Sequence, residues 1–141
     1  MCRIAGIVDK TKTEAELKAN VKAMCDSMAH GGPDDDGFYC NIDNGIAFGH
    51  RRLALIDLSA AGHQPMFYHE NKYVISFNGE IYNYRDLKAS LLNLNYEFNS
   101  NSDTEVILAA YAEWGLKSFD MLNGMFAFSL YDSVSNITYL V

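Results

Sequence analysis

A cysteine follows the initiator methionine at the start of the chain, in the stretch MCRIAGIV. If Met1 is removed, Cys2 carries a free α-amine beside its own thiol. An α-amine has an unperturbed pKa of about 7.7–8.0, so it can accept the thiol proton near neutral pH. The thiolate can then attack a carbonyl carbon without a separate histidine base. A small residue that merely permits removal of Met1 explains the same position, and both interpretations are open at this point.

The dipeptide Asn78-Gly79 also has two explanations. Asn-Gly between extended apolar runs is a strong signal for a β-hairpin turn, and the local rules favour this interpretation. The functional alternative is an oxyanion hole, in which the Asn side-chain amide and the Gly backbone N–H converge on one developing negative oxygen.

Two charged residues could bind the charged ends of an amino acid. Asp103 follows an N-cap serine, where a carboxylate complements the helix dipole, but a carboxylate at an exposed helix start could equally hold an ammonium group. Arg52 lies inside an apolar run, and a buried guanidinium needs a carboxylate partner. Bidentate pairing suits the α-carboxylate of an amino acid, with Arg51 as the outward-facing neighbour. With Cys2, these residue types fit hydrolysis of an amino-acid side-chain amide.

The predicted secondary structure supplies the strands and helices that must position these residues. Strands are predicted over 4–9, 38–41, 46–50, 72–77, 96–98, 125–131 and 137–141, and helices over about 14–29, around 87–94 and around 106–114. Capping-box patterns at 13–16 and 102–105 start the first and third helices. Loops are predicted over 30–37 and 59–66, and 51–58 continues as an extended run. Adjacent hairpin-like pairs indicate an α+β fold with largely antiparallel sheets.

Composition and charge exclude several classes of function. The 141 residues are sufficient for one domain with a sizeable core. A net charge of −7 with only 11 basic residues argues against nucleic-acid binding. No apolar stretch approaches the roughly 18–20 residues that span a bilayer, and no export signal is visible, so no membrane partner is expected. The three cysteines, an odd number without a CxxC pair, favour the reducing cytoplasm and argue against a metal site.

Six sequence blocks together resemble a known family. The blocks are MCRIAGIV, HGGPDDDGFY, GHRRLALIDLSAAGHQPM, FNGEIYNYRDL, SDTEVILAAY and LNGMFAFSLYD. In order and spacing they resemble the glutamine amidotransferase domain of asparagine synthetases, the class with an N-terminal cysteine nucleophile, over essentially the whole chain. The resemblance implies an N-terminal-nucleophile hydrolase fold, a four-layer αββα sandwich with antiparallel sheets.

The resemblance implies a role for each catalytic candidate. Cys2 would be the nucleophile that attacks the carboxamide of glutamine. Asn78 and Gly79 would form the oxyanion hole for the tetrahedral intermediate. The chemistry would be that of a glutaminase that releases ammonia.

The resemblance also implies a glutamine-binding set. Arg52 would bind the α-carboxylate of glutamine, and Glu80 with Asp103 would bind its α-amino end. The backbone of four consecutive residues would line the same pocket, namely Leu53, Ala54, Leu55 and Ile56. Asn78 and Gly79 would complete it.

Ammonia made by the family's glutaminase domain travels to an ATP-dependent synthetase domain. The sequence has no SGGxDS-like nucleotide loop, so ATP and Mg are expected only in a synthetase domain or a separate synthetase chain, and no metal or cofactor is expected here. Because 139–141 ends inside a predicted strand, residues 1–141 are expected to be a single glutaminase domain that is incomplete at its C-terminus. L-Glutamine and the synthetase are the expected partners, and a homodimer is left open.

Two positions depart from the family pattern. The family usually has Gly where this chain has Arg3, and Arg where it has Gly31. Strand alternation predicts that Arg3 points away from Cys2, whereas a cation close to Cys2 would lower the pKa of its thiol and amine. Loss of the loop arginine could loosen the segment over the glutamine pocket. A catalytically silent member that binds glutamine or a protein partner is therefore the alternative function.

Overall fold

A computed structural model gives the structure of residues 2–141, in which seven strands and three α-helices form the fold. The strands are β1 (Arg3–Val8), β2 (Asp35–Asn41), β3 (Ile46–Arg52), β4 (Met66–Tyr68), β5 (Tyr73–Ile81), β6 (Gly124–Asp132) and β7 (Ile137–Leu140). The helices are α1 (Glu14–Ser27), α2 (Tyr84–Asn93) and α3 (Asp103–Trp114), with short 3₁₀ segments at Ala29–Gly31, Ala60–Gly62 and Gly115–Met121.

The strands form two antiparallel sheets with the orders β1-β3-β2 and β4-β5-β6-β7. Helix α1 packs on the three-stranded sheet through Leu17 and Val21, while α3 packs on the four-stranded sheet in a larger cluster with α2. Between the sheets Phe48 of β3 packs with Val74 and Tyr131. The layers are therefore helix, sheet, sheet and helix, and the predicted α+β class with antiparallel sheets is confirmed.

Side-chain caps mark the starts of α1 and α3. Thr13 forms the predicted capping box, because its hydroxyl accepts from the Glu16 N–H at 3.3 Å and the Glu16 carboxylate accepts from the Thr13 N–H at 2.8 Å. At α3 the Ser102 hydroxyl accepts from the Thr104 N–H at 3.1 Å. Glu105 instead accepts from backbone N–H groups of the preceding loop, so Ser102 caps α3 but the second predicted capping box does not form.

Two local predictions are wrong. Residues 96–98 form no strand, because the Tyr96 N–H bonds to the Leu91 carbonyl oxygen at 3.1 Å and closes the end of α2. The Asn78-Gly79 dipeptide is not a hairpin turn either. It lies inside β5 opposite Ala127 and Phe126 of β6, and the strand continues to Ile81. Pairing with a distant strand overrides the local turn signal.

Several element ends also differ from the sequence-based expectation. Helix α1 ends at Ser27, and the extended run predicted after 50 stops as a strand at Arg52 and becomes a loop. This loop, residues 53–65, contacts the start of α3, because the Asn101 N–H donates to the Asp57 carboxylate at 2.9 Å and Gln64 donates to the Thr104 hydroxyl at 3.3 Å. None of the helices within residues 2–141 has the length and hydropathy that a bilayer crossing requires.

Candidate active site

A cavity of about 210 Å³ lies where β3, β5, the 53–65 loop and the start of α3 meet. Its lining residues are Cys2, Arg52, Leu53, Leu55, Ile56, Asp57, Gly62, Gln64, Phe77, Gly79, Glu80, Ser102, Asp103 and Thr104. Among the residues proposed from the sequence, only Ala54 and Asn78 are outside this lining. The fold thus gathers residues from four separate sequence blocks around one small cavity.

Cys2 lies at the cavity immediately before β1, and its thiol is held by the first residue of the loop after β3. The Leu53 N–H donates to Sγ at 3.3 Å, and the thiol donates to the Leu53 carbonyl oxygen at 3.5 Å. Met1 lies outside the described residues. The sulfur is therefore fixed against the loop that lines the rest of the cavity.

Arg52 is the buried guanidinium at the end of β3, with 8% of its surface exposed. It donates to the carbonyl oxygens of Asp57 and Ser59, the latter at 3.0 Å. The carboxylate partner expected from its burial is Asp35, but the ion pair is long, at 4.0 Å between Nη1 and Oδ2. Gly62 leaves room for the guanidinium, because a Cβ there would overlap Nη2. Loop carbonyls therefore position Arg52 more than a carboxylate does.

Arg51 faces the opposite side of the three-stranded sheet, as strand alternation predicts. It is not directed into solvent, since it packs against α1 and donates to the Asp26 carboxylate at 2.8 Å and to the Cys25 carbonyl oxygen at 3.1 Å. The two consecutive arginines consequently serve different layers of the fold.

Asp103 begins α3 and is buried, with 4% exposure, so the exposed helix start expected from the sequence is wrong. Its Oδ2 accepts from the Ile81 N–H at 3.0 Å. Burial raises the pKa of Asp103, and hydrogen bonds from the Ile81 and Thr104 backbone oppose this shift. Glu80 is exposed and stands at the mouth of the same cavity. The two carboxylates share one end of the site.

Gly79 and Asn78 occupy different environments. Gly79 lines the cavity with a positive φ of 150°, and a Cβ there would stand 2.3 Å from the Met125 carbonyl oxygen. Among the residues that the structure describes, the buried Oδ1 of Asn78 has no hydrogen-bond partner. The backbone of β5 thus reaches the cavity at Gly79, and the Asn78 carboxamide stays beside it with unused bonding capacity.

Sequence reasoning did not propose six of the lining residues as site residues, namely Asp57, Gly62, Gln64, Phe77, Ser102 and Thr104. It also missed His50, which contacts Phe77 without lining the cavity. Gln64 accepts from the Phe77 N–H at 2.7 Å and donates to the Thr104 hydroxyl at 3.3 Å, so it joins β5 to α3 at the cavity. Nε2 of His50 lies 2.9 Å from the Phe77 carbonyl oxygen, and burial lowers the pKa of His50 from 6.5 to about 4. The neutral ring therefore donates from Nε2. Gln64 and His50 both belong to the block GHRRLALIDLSAAGHQPM, but no local sequence pattern predicts that they contact Phe77.

The fold, with Cys2 beside a small polar cavity, is that of an N-terminal-nucleophile hydrolase of the amidotransferase class. The family model for the glutamine amidotransferase domain matches residues 1–141, and the chain belongs to this family. The family and fold expected from the sequence are thereby confirmed.

Curated relatives specify the kind of amidotransferase that the chain is similar to. It is 39% identical over 141 residues to asparagine synthetase [glutamine-hydrolyzing] 1 of Bacillus subtilis, covering 99% of this chain and 22% of the relative. It is 43% identical over 133 residues to asparagine synthetase B of Escherichia coli, covering 94% of this chain and 23% of the relative. The chain therefore spans about a fifth of the length of these relatives.

A solved structure gives the same result for the fold. Glutamine phosphoribosylpyrophosphate amidotransferase from B. subtilis superimposes with a TM-score of 0.54 at 26% identity, covering 66% of this chain and 23% of that chain.

Proposed function

We propose that the chain is the glutaminase domain of an asparagine-synthetase-like amidotransferase, which hydrolyses the side-chain amide of glutamine and supplies ammonia. The observation that carries this proposal is that Cys2, Arg52 and Asp103 line one cavity of about 210 Å³. A cavity of this size suits a single amino acid. It offers a nucleophile for the amide and opposite charges for the two ends of the substrate.

The proposed reaction begins after removal of Met1. The α-amine of Cys2 takes the thiol proton, and Sγ forms a bond to the side-chain carbonyl carbon of glutamine. The Gly79 N–H and the Asn78 amide would stabilise the oxyanion, the latter after turning its Nδ2 toward the cavity. The C–N bond then breaks, the leaving nitrogen receives the proton from the α-ammonium and departs as ammonia. Water hydrolyses the thioester to release glutamate and regenerate the thiol.

The charges of the cavity residues suit the α-carboxylate and the α-ammonium group of glutamine. Arg52, held by loop carbonyls, would pair with the α-carboxylate. Asp103 and Glu80 would accept from the α-ammonium group, and the backbone of the 53–56 loop would line the side chain. A glutamine bound in this way places its amide toward Cys2.

The similarity to glutamine-hydrolysing asparagine synthetases supports a synthetase as the partner. Ammonia would pass to a synthetase domain or a separate synthetase chain, which would hold ATP and Mg. The glutaminase step needs no metal or cofactor in this domain, because Cys2 supplies both base and nucleophile. Cys2, Cys25 and Cys40 are free thiols, which supports the cytoplasm as the compartment. A homodimer stays part of the proposal.

Labelling of Cys2 tests the proposed function. Intact-mass spectrometry shows whether Met1 is removed, and a diazoketone analogue of glutamine is then expected to add one label at Cys2, with ammonia released from glutamine in a parallel assay. Cys2→Ala is expected to abolish both, whereas Cys40→Ala, which alters a thiol on β2, leaves both intact.

Three outcomes contradict the proposal. They are retention of Met1, a processed chain that takes up no label and releases no ammonia, and labelling at Cys25 or Cys40 instead. A chain that binds glutamine by calorimetry without releasing ammonia identifies the catalytically silent alternative.

A further inference from the structure

Arg3 and Gly31, the two positions that depart from the family pattern, lie against each other. A Cβ added to Gly31 would be 2.8 Å from both Cγ and Nε of Arg3 and 2.9 Å from its Cζ. Real Cβ atoms essentially never approach other atoms so closely, so the arginine side chain lies flat across the glycine. Gly31 is not among the glycines with positive φ. The space taken by Arg3, and not the backbone conformation, therefore requires glycine at position 31.

The guanidinium of Arg3 contacts the residue that carries the proposed nucleophile. Arg3 pairs with Arg51 in the β1–β3 register, so its side chain leaves on the outer face of the sheet, away from the cavity, as strand alternation predicts. Its Nη1 nevertheless donates to the backbone carbonyl oxygen of Cys2 at 3.0 Å. The guanidinium thus contacts the nucleophilic residue through its backbone and leaves the thiol side open to the cavity.

An N-terminal nucleophile needs such a contact for a simple reason. Once Met1 has been removed, no preceding peptide holds Cys2, and strand pairing begins only at Arg3. The orientation of the Cys2 amine and thiol then depends on the thiol's contacts with Leu53 and on whatever fixes the Cys2 carbonyl group. A charged donor on that carbonyl restricts rotation about the bond that carries both reacting groups.

We propose that Arg3 is a positioning residue for the Cys2 nucleophile and that Gly31 is the space it requires, so that the two residues act as one coupled unit. This inference rests on the proposed glutaminase function. It explains the departure at both positions at once: the arginine at position 3 and the glycine at position 31 depend on each other.

A double-mutant cycle tests the coupling. Arg3→Ala removes the contact with the Cys2 carbonyl, and Gly31→Ala forces the same side chain to shift from Cγ outward. Each is expected to lower kcat for ammonia release by about tenfold to a hundredfold, as a misplaced reacting group does, while KM for glutamine changes little. The double variant is expected to be no slower than Arg3→Ala, because the second change has nothing left to displace.

Two further variants separate positioning from a structural role. Arg3→Lys keeps a cationic donor and is expected to recover part of kcat. Lys10→Ala removes one exposed positive charge just beyond β1 and is expected to leave kcat unchanged. Additive losses in the cycle, an unchanged kcat in Arg3→Ala, or losses that simply follow the melting temperature would overturn the proposal.

A second measurement needs no glutamine turnover. It is the rate at which iodoacetamide alkylates Cys2 in wild type, Arg3→Ala, Gly31→Ala and the double variant. Non-additive changes in this rate, in a wild-type chain that releases no ammonia, support positioning by Arg3 and contradict the proposed function. Additive or absent changes, in a wild-type chain that does release ammonia, contradict the positioning proposal alone.

Discussion

Gln64 and Phe77 are joined by a hydrogen bond of 2.7 Å between the side-chain Oε1 of Gln64 and the backbone N–H of Phe77. Gln64 is buried, and its Nε2 continues the connection to the Thr104 hydroxyl. The Phe77 carbonyl oxygen accepts from His50. Both polar groups of this one peptide residue are therefore fixed by side chains, immediately before the Asn78-Gly79 dipeptide that reaches the candidate active site.

Replacing Gln64 tests the importance of this connection. Gln64→Ala leaves the buried Phe77 N–H without its acceptor, so the free energy of unfolding is expected to fall by about 1–3 kcal/mol in urea titrations. Gln64→Glu keeps an acceptor for Phe77 but loses the donor to Thr104 and buries a carboxylate, so it is also expected to be less stable than wild type. An alanine variant as stable as wild type would show that water replaces the side chain.

His50 is expected to make the protein sensitive to acid. The pKa of His50 is about 4 in the folded chain, whereas its ordinary value is 6.5. Between these two pH values the unfolded chain therefore binds a proton at His50 that the folded chain does not bind. Stability is therefore lost as pH falls from 6.5 toward 4, by on the order of 3 kcal/mol.

Urea titrations from pH 7 to pH 4 measure this effect in His50→Gln, whose amide can still donate to the Phe77 carbonyl oxygen. The variant is expected to lose less stability on acidification than wild type. His30→Gln alters an exposed histidine and serves as the control. Parallel curves for wild type and His50→Gln would exclude His50 as the source of the acid sensitivity.

Asp103→Asn separates binding from stability. The amide oxygen can still accept from the Ile81 N–H, but the charge proposed to hold the α-ammonium group of glutamine is lost. KM for glutamine is expected to rise by roughly tenfold or more, since a hydrogen bond to a charged group contributes about 1.5–3 kcal/mol. The readout is steady-state ammonia release over a range of glutamine concentrations.

The free energy of unfolding of Asp103→Asn is not expected to fall together with glutamine binding. Burial raises the pKa of Asp103, so ionisation costs the folded chain stability as pH rises through the ordinary value of 3.8. At pH 7 the asparagine variant is therefore expected to be as stable as wild type or more so. A rise in KM accompanied by an equal loss of stability would point to a disrupted helix start instead.

Gly79→Ala is expected to be far more damaging than the same change at another glycine with positive φ. A Cβ at Gly79 would overlap the backbone of Met125 and Phe126, so β5 or β6 must shift. Gly115 has a φ of 59° and nothing within 4 Å of an added Cβ. Gly115→Ala should therefore cost only the backbone strain of its φ of 59° and ψ of −141°, on the order of 1–3 kcal/mol, and Gly79→Ala more than that in urea unfolding. Equal losses would contradict the tight packing described for Gly79.

Local patterns predicted those parts of the structure whose causes are local. The Thr13 capping box depends on residues three positions apart, and the sequence identified it correctly. The strand that contains Asn78-Gly79 depends on pairing with 124–132, about fifty residues later, and there the local turn rule was wrong. His50 and Gln64 escaped notice for the same reason, because their contacts with Phe77 cross 27 and 13 positions. For Cys2 and Arg52 the local patterns left more than one interpretation open, and the family blocks favoured the functional one.

The consecutive residues Arg51 and Arg52 limit how the end of β3 can change in length. One guanidinium ties the strand to Asp26 of α1, and the other ties it to the carbonyl oxygens of the cavity loop. Insertion or deletion of a single residue within β3 would exchange the two faces. The helix would then lose its ion pair, and the cavity would lose its cation, in the same step. Insertions are therefore expected to be tolerated in the turn 42–45 before β3 but not within the strand itself.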